Sequence, residues 1–265
     1  MAAPFDDINF LTRSENRVEV LATLAEAART ERELVEATGI SDVTAGRILE
    51  DFVDRGWARD VDGGYETTSL GEMLSDDYER LEASMHVACR LGPTLEYLPV
   101  DAMEFDFRHL TDARLSNPDR HDVLRAVDRW MKLVHDADHV RALSSMSVAT
   151  VAEALNEAVL EDGMRYEAVY DDAALDGIRS RPDLAGLHRE MADAGADLYH
   201  ADEGTTVPNS VALFDDLVGI AGFDDSGALR VGIESQSAAV REWARDTFAD
   251  RRNGATLLAP EDFEA

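Results

Sequence analysis

Residues 57–68 contain two β-prone runs joined by Asp62-Gly63-Gly64. Glycine tolerates the positive φ angles of tight turns, so this segment predicts a β-hairpin. The hairpin directly follows a helical pattern that begins at Ser41 and ends at Gly56. A helix followed at once by a hairpin leaves few ways to pack the N-terminal part of the chain.

Two further helices are predicted before this pair. The first begins near Ser14 and places Val18, Leu21, Ala22 and Leu24 on one face. The second begins at Thr30, three residues before Glu33 as a capping box requires, and ends at Gly39. The two helices are short, and a tight turn leads to the third.

The third helix buries a stripe formed by Ala45, Ile48, Leu49 and Phe52. Three helices with a tight turn and a following hairpin are the elements of a winged helix-turn-helix, which binds double-stranded DNA. The sequence therefore predicts promoter or operator DNA as a partner. The candidate DNA-binding residues are those outside the buried stripe and one on the hairpin: Ser41, Asp42, Val43, Thr44, Gly46, Arg47 and Arg59.

The chemistry of these residues suggests separate roles. Arg47 can donate two hydrogen bonds to guanine or bind a phosphate, Thr44 can contact either, and Val43 can meet a thymine methyl group. Gly46 would allow a close backbone approach, and Arg59 would contact the DNA backbone beside a minor groove. The alternative is that both arginines are solvated and that the domain contacts protein.

The charge of this region opposes an ordinary DNA-binding surface. Residues 13–68 hold 7 arginines and 13 acidic residues, a net charge of −6, so the usual basic footprint is missing. The whole chain has a formal charge of −30, and Lys132 is its one lysine. Such an excess suits a cytoplasm near salt saturation and indicates an extreme halophile. The alternatives are an acidic interaction protein and a disordered chain, although dispersed charge and persistent helical periodicity argue against disorder.

A long amphipathic helix is predicted after the hairpin. Its apolar stripe is expected to link two domains and to support a homodimer; it consists of Leu70, Met73, Leu74, Tyr78, Leu81, Met85 and Cys89. The next stretch is less regular, although FDFRHL (residues 105–110) is β-prone and is expected to form a strand. Helices and strands then alternate, and three strands close the series before a last helix, which predicts an α/β layer with a mixed sheet.

The fold class is therefore α+β, with a winged helix-turn-helix joined by a long helix to an α/β sensor domain. The expected divisions are residues 1–70 for the DNA-binding domain, 71–98 for the linker and dimerisation helix, and 99–265 for the sensor domain. An effector pocket is expected at strand ends of the last domain. Its candidate residues are Ser144, Ser145, Tyr170, Asp171 and Asn209, unless they merely form turns and caps.

Several other classes of protein are not expected. No uncharged apolar run approaches the roughly 20 residues that cross a bilayer, and the N-terminus lacks the features of a secretion signal, so we expect a cytoplasmic protein. The seven histidines are dispersed without a metal-binding spacing and are expected at the surface or at helix ends. We expect no metal and no cofactor.

The N-terminal third, which includes TERELVEATGISDVTAGRILEDFVDRGWARDVDGGYETTSLGEML, resembles the winged-helix domains of archaeal regulators. The remainder resembles the middle domain of the archaeal methanogenesis regulatory proteins. Together these resemblances imply a haloarchaeal transcriptional regulator. The C-terminal part is also more distantly similar to the sugar-responsive TrmB regulators, which implies a sensor with a phospholipase D-like fold.

Phospholipase D enzymes attack phosphodiesters with a histidine in the pattern His-x-Lys-x4-Asp. When Asp215 is aligned with that aspartate, Pro208 takes the place of the histidine and Ser210 that of the lysine. Proline is no nucleophile, and serine carries no charge for phosphate. We therefore expect a non-catalytic, effector-binding domain rather than the alternative, a phosphodiesterase-like hydrolase with an accessory winged helix.

Overall fold

The computed structural model describes residues 4–116, 125–202, 210–224 and 228–264. The chain divides into two compact units, Met1–Met85 and His86–Ala265. The first unit contains α1 (Pro4–Thr12), α2 (Glu15–Glu26), α3 (Glu31–Thr38), α4 (Asp42–Asp54), β1 (Ala58–Val61) and β2 (Gly64–Thr67), followed by most of α5 (Ser69–Leu91).

Local capping fixes the boundaries of α3 and α4. Thr30 and Glu33 form the predicted capping box, in which the Glu33 carboxylate accepts a hydrogen bond of 2.8 Å from the Thr30 backbone N–H. At the other end of α3, Gly39 has φ +70°, a left-handed conformation that favours glycine. The Ser41 hydroxyl then accepts a hydrogen bond from the Thr44 backbone N–H and starts α4.

The predicted hairpin is present and its strands pair in antiparallel register, with Val61 opposite Gly64. Arg29 adds a third segment, since its backbone N–H donates to the Tyr65 carbonyl at 2.9 Å and its carbonyl accepts from the Tyr65 N–H at 2.8 Å. A Cβ on Gly64 would lie 2.3 Å from the Arg29 carbonyl oxygen. Three helices with this small sheet form a winged helix-turn-helix, which confirms the predicted N-terminal fold.

The core of the first unit includes the four positions predicted on α4, which are at most 2% exposed: Ala45, Ile48, Leu49 and Phe52. Helix α1 was not predicted, because most of its residues are exposed and its periodicity is weak. It contributes Leu11 and Phe10 to the core; the Phe10 ring packs edge-on against Phe52 and Trp57 at centroid distances of 6.3 and 5.7 Å.

The second unit contains β3 (Arg114–Ser116), α6 (Arg125–Asp136), β4 (His139–Ser144), α7 (Ala149–Leu160), β5 (Arg165–Tyr170), α8 (Asp172–Arg179), α9 (Pro182–Asp193), β6 (Asp197–His200), β7 (Val211–Phe214), β8 (Leu217–Phe223), β9 (Leu229–Ser235), α10 (Ala238–Asn253) and β10 (Thr256–Leu257). In the described residues the strands form one eight-stranded sheet of order β10-β6-β5-β4-β7-β8-β9-β3. Strands β4, β5 and β6 are parallel neighbours, and the other pairs are antiparallel. The predicted mixed sheet and the α+β fold class are therefore confirmed.

Each face of this sheet has its own hydrophobic core. Helices α6, α7, α8 and α9 cover one face, where Val140 of β4 and Tyr166 of β5 are buried. Helix α10 and the end of α5 cover the other, where Leu143 of β4 and Val169 of β5 are buried. The alternation of neighbouring residues between the two cores follows from the two-residue period of a strand.

The β-prone segment FDFRHL does not form a strand, so that expectation was wrong. Phe107–Leu110 is a 3₁₀ helix, which the Asp106 carboxylate caps by accepting a hydrogen bond of 2.9 Å from the Arg108 backbone N–H. Phe105 packs against Phe107 and Trp243 at centroid distances of 5.8 and 5.0 Å. The aromatic residues thus anchor a turn instead of a sheet edge. Among the described residues, no helix combines the length and the apolar character needed to span a bilayer.

Candidate nucleic-acid interface and ligand cavity

The outer face of α4 carries the predicted DNA-binding residues. Val43 is 84% exposed, and Ser41, Asp42 and Arg47 are also exposed. Thr44 is half-buried, and its hydroxyl lies 2.9 Å from the Ser41 hydroxyl. Both hydroxyls therefore stabilise the start of the helix, and each keeps only part of its hydrogen-bonding capacity for a ligand.

Gly46 faces α3 within the protein. A Cβ at this position would lie 3.3 Å from the Glu31 carboxylate, so the glycine allows α4 to lie close to the start of α3. The sequence prediction gave Gly46 the role of allowing a close backbone approach to DNA. The geometry gives it a packing role between the two helices of the helix-turn-helix.

The two arginines differ in their surroundings. Arg59 of β1 forms an ion pair with Glu66 of β2, with distances of 2.7 Å from Nε and 2.5 Å from Nη2 to the same carboxylate oxygen. Arg47 forms no ion pair with any residue that the structure describes. The guanidinium of Arg47 is therefore available to an external anion or base, whereas that of Arg59 must first leave Glu66.

The apolar residues predicted as one stripe of α5 have two environments. Leu74 and Tyr78 pack against the core of the first unit. Leu70, Met73, Leu81 and Met85 are 55%, 51%, 45% and 58% exposed. Cys89 is exposed as well. Four apolar side chains of the predicted stripe are therefore exposed on the first unit.

A cavity of about 450 Å³ lies in the second unit on the α6–α7 side of the sheet. Apolar side chains form most of its wall: Trp130, Met131, Val134, Val140, Ala142, Val148, Val151, Leu155, Val211, Ala212, Phe214, Ala221, Phe223 and Leu229. The volume of this cavity and its mostly apolar lining are in the range that is typical of small-molecule binding sites. Asp128 is the one charged residue among the described lining residues, and it is exposed.

Three buried polar side chains also line the cavity. The hydroxyls of Tyr166 and Tyr170 are 3.1 Å apart, so one donates a hydrogen bond to the other. Burial raises the pKa of Tyr166 to about 12 and the pKa of Tyr170 well above its ordinary value, which keeps both hydroxyls protonated. Since the pair uses one of two protons, one O–H remains to donate elsewhere.

His188 of α9 is the third polar residue and is 2% exposed. Its Nδ1 lies 2.8 Å from the Leu184 carbonyl oxygen. A carbonyl can only accept, so Nδ1 carries the proton and Nε2 is an acceptor. Burial lowers the pKa of His188, which favours this neutral form, and no described residue donates to Nε2.

The predicted effector-binding residues have different positions. Ser144 and Tyr170 line the cavity; the Ser144 hydroxyl donates to the Met146 carbonyl. Asp171 instead caps α8, because its carboxylate accepts a hydrogen bond of 2.9 Å from the Ala174 N–H. Ser145 is half-buried and does not line the cavity, and Asn209 lies outside the described residues.

The sequence prediction missed Tyr166, Trp130 and His188. His188 was expected at the surface or at a helix end, which is wrong. The pattern of α9 contained the evidence, because Leu184, His188 and Met191 share the spacing of a buried face. Trp130 lies on α6, whose contact with the sheet could not be derived from periodicity.

The positions aligned with a phosphodiesterase motif have structural roles where they are described. Asp215 lies in the β7–β8 turn with φ +52°, and its carboxylate accepts backbone hydrogen bonds of 3.2 and 3.0 Å from Asp138 and His139. Ser210 lines the cavity, and Pro208 lies outside the described residues. The described residues contain no group of three or more side chains arranged to bind a metal ion.

Two family matches cover most of the chain. Residues 5–90 match the HVO_A0261 N-terminal domain. Residues 123–254 match the middle domain of the methanogenesis regulatory protein FilR1. No curated protein sequence matches the chain.

Solved structures with related arrangements are distant. The archaeal chromatin protein TrmBL2 is 12% identical over 91% of this chain and 93% of its own, with a TM-score of 0.42. The phospholipase D family member Nuc from Salmonella typhimurium is 14% identical over 56% of this chain and 97% of its own, with a TM-score of 0.45. A transcriptional regulator of the IclR family from Rhodococcus sp. is 14% identical over 91% and 93%, with a TM-score of 0.21.

The family matches agree with the two units of the structure. The first match covers the winged helix-turn-helix and α5, and the second covers the sheet from α6 to α10. Residues 5–90 are therefore similar to the HVO_A0261 N-terminal domain and residues 123–254 to the middle domain of the methanogenesis regulatory protein FilR1, and these two matches support a regulatory role for the chain.

Proposed function

We propose that the chain is a dimeric, sequence-specific DNA-binding transcriptional regulator in the cytoplasm of an extreme halophile, and that its second unit binds a small effector. The observation that carries DNA binding is the outer face of α4. This helix follows the turn of the helix-turn-helix and exposes Val43 and Arg47. In this class of domain the second helix of the motif enters the major groove and contacts bases with its N-terminal residues.

The charges of α4 make base contact a better explanation than general phosphate attraction. Asp42 and Glu50 are exposed on the same helix and repel phosphates, so few favourable electrostatic contacts are available. Arg47 can donate two hydrogen bonds to a guanine edge, and Val43 can contact a thymine methyl group. Specificity would then arise from a few direct contacts on each protomer.

The test compares Arg47→Ala with Arg80→Ala, a control at an exposed arginine of α5. Operator DNA selected from a random pool is titrated in molar KCl. Loss of a base contact by Arg47→Ala should weaken operator binding by about 1–3 kcal/mol and relax selectivity at one position, while both variants keep the parent melting temperature. Equal DNA affinity of parent and Arg47→Ala would contradict the proposal and favour a protein-contacting adaptor.

The proposed dimer uses the exposed apolar side chains of α5 in the first unit. One winged helix contacts too few base pairs for selectivity in a genome, so a second copy of this chain is the occupant that the DNA-binding role requires. Sedimentation in molar KCl should show a dimer for the parent and a monomer for the double variant Leu81→Glu, Met85→Glu. A monomeric parent, both free and bound to DNA, would contradict this part of the proposal.

A further inference from the structure

We infer that the cavity of the second unit binds an uncharged, largely hydrocarbon ligand that carries one hydroxyl group. The inference rests on the proposed effector-binding function and deepens it, because it names the chemical class of the effector. Three independent properties of the cavity support it: an open apolar wall, the scarcity of charge among the described lining residues, and an unused hydrogen-bond acceptor and an unused donor that line the same cavity.

The wall contains apolar side chains that the protein itself leaves uncovered. Ala142 lies on β4, between β5 and β7 in the middle of the sheet, yet it remains partly exposed. Trp130 is also only half-buried, although it packs edge-on against Phe214 at a centroid distance of 5.2 Å. Such surface facing a cavity of about 450 Å³ gains free energy when a hydrocarbon covers it.

The lining residues that the structure describes disfavour ionic ligands. The described lining residues include no arginine and no lysine, so a carboxylate or phosphate would lose its hydration without gaining a cationic partner. Among the described lining residues a cationic ligand would find one carboxylate, that of Asp128, which is exposed to solvent and therefore attracts weakly. An uncharged molecule has neither penalty.

The polar groups define one hydrogen-bonding group on the ligand. Nε2 of His188 needs a donor, and the second proton of the Tyr166–Tyr170 pair needs an acceptor. The Tyr170 and His188 rings pack edge to face with centroids 5.5 Å apart. A hydroxyl both donates and accepts, so a single group can satisfy both needs.

The experiment titrates the full chain with 2-naphthol by calorimetry in molar KCl at neutral pH. Two probes of similar shape are compared: 2-methoxynaphthalene, which cannot donate a hydrogen bond, and 2-naphthoate, which is anionic. We expect saturable 1:1 binding of 2-naphthol, and binding of the other two that is weaker by about tenfold or more. Equal or tighter binding of either probe would overturn the inference, as would the absence of binding to a folded protein.

Three variants locate the site. Ala142→Phe fills the cavity and should abolish 2-naphthol binding, whereas Ala238→Phe, at an exposed position of α10 on the other face of the sheet, should bind like the parent. His188→Phe should weaken the binding of 2-naphthol by about tenfold and leave the binding of 2-methoxynaphthalene unchanged. Parent-like binding by a folded Ala142→Phe would overturn the location of the site.

This titration contains no DNA, so its outcome is separate from that of the proposed regulatory function. If 2-naphthol binds but does not change operator affinity, the ligand class is supported and the effector role fails. If operator binding is shown and no probe binds, the regulatory function stands and the ligand class is wrong.

Discussion

The ring of Trp130 lies directly over Gly219, so that a Cβ on this glycine would be 2.8 Å from Cη2 of the indole. Strand β8 thus provides a surface without a side chain, against which the indole of Trp130 in the cavity wall packs. Gly219→Ala should displace Trp130, lower the stability by about 1–3 kcal/mol through overpacking, and shift tryptophan emission. The control is Gly186→Ala in α9, where nothing lies within 4 Å of the new Cβ and the melting temperature should not fall. Equal melting temperatures and equal emission for both variants would contradict the packing of Trp130 against Gly219.

The wing depends on a close backbone approach at Gly64. Gly64→Ala should lower the unfolding free energy by about 3 kcal/mol, because its Cβ would meet the Arg29 carbonyl oxygen at 2.3 Å. Gly63→Ala should cost less, about 1–2 kcal/mol, since its φ is +97° but nothing lies within 4 Å. Chemical denaturation of both variants in molar KCl measures the difference, and a smaller loss for Gly64→Ala than for Gly63→Ala would be inconsistent with the structure.

The burial of His188 makes the stability of the second unit dependent on pH. Because the pKa of His188 is lowered in the folded state, the unfolded chain binds this proton more readily. Stability is therefore complete above the ordinary pKa of 6.5 and declines as the pH falls below it. Melting curves between pH 7 and pH 5 should show a shallower decline for His188→Phe than for the parent. His86→Gln, at an exposed position, should follow the parent. A decline that is equally steep in His188→Phe would mean that His188 is not the residue responsible.

Salt should stabilise the fold, because the chain has a formal charge of −30. Screening of this charge weakens as the ionic strength falls, so the melting temperature should decrease between molar and millimolar KCl. The melting temperature should decrease less in a variant with glutamine at four exposed positions, Glu50, Glu72, Glu79 and Glu82. Melting temperatures that are independent of KCl would count against the halophilic origin.

Local patterns predicted much of the fold, because each depends on neighbouring residues. The capping box of Thr30 and Glu33, the hairpin at Asp62-Gly63 and the alternation of helices and strands are all confirmed. Helix α1 was missed because its contacts with the core come from the adjacent residues Phe10 and Leu11, which leave no periodic pattern along the helix. The segment around Phe107 was misassigned because its aromatic residues anchor a turn.

The candidate site was harder to predict than the fold. The outer face of α4 followed from helical spacing alone, which correctly places Val43 and Arg47 at the surface. The cavity joins residues from three helices and five strands that are far apart in sequence, including Trp130 of α6 and His188 of α9. Their proximity depends on the order of strands in the sheet, which no local pattern contains.

The ion pair between Arg59 and Glu66 leaves the wing with little net positive charge for DNA. Arg47 is then the main uncompensated cation that α4 and the wing offer, so each protomer would displace at most about one counterion from the DNA. The logarithm of the binding constant should fall with the logarithm of salt concentration by at most about 0.9 per protomer. A regulator of this kind loses little of its affinity for an operator when the salt concentration rises.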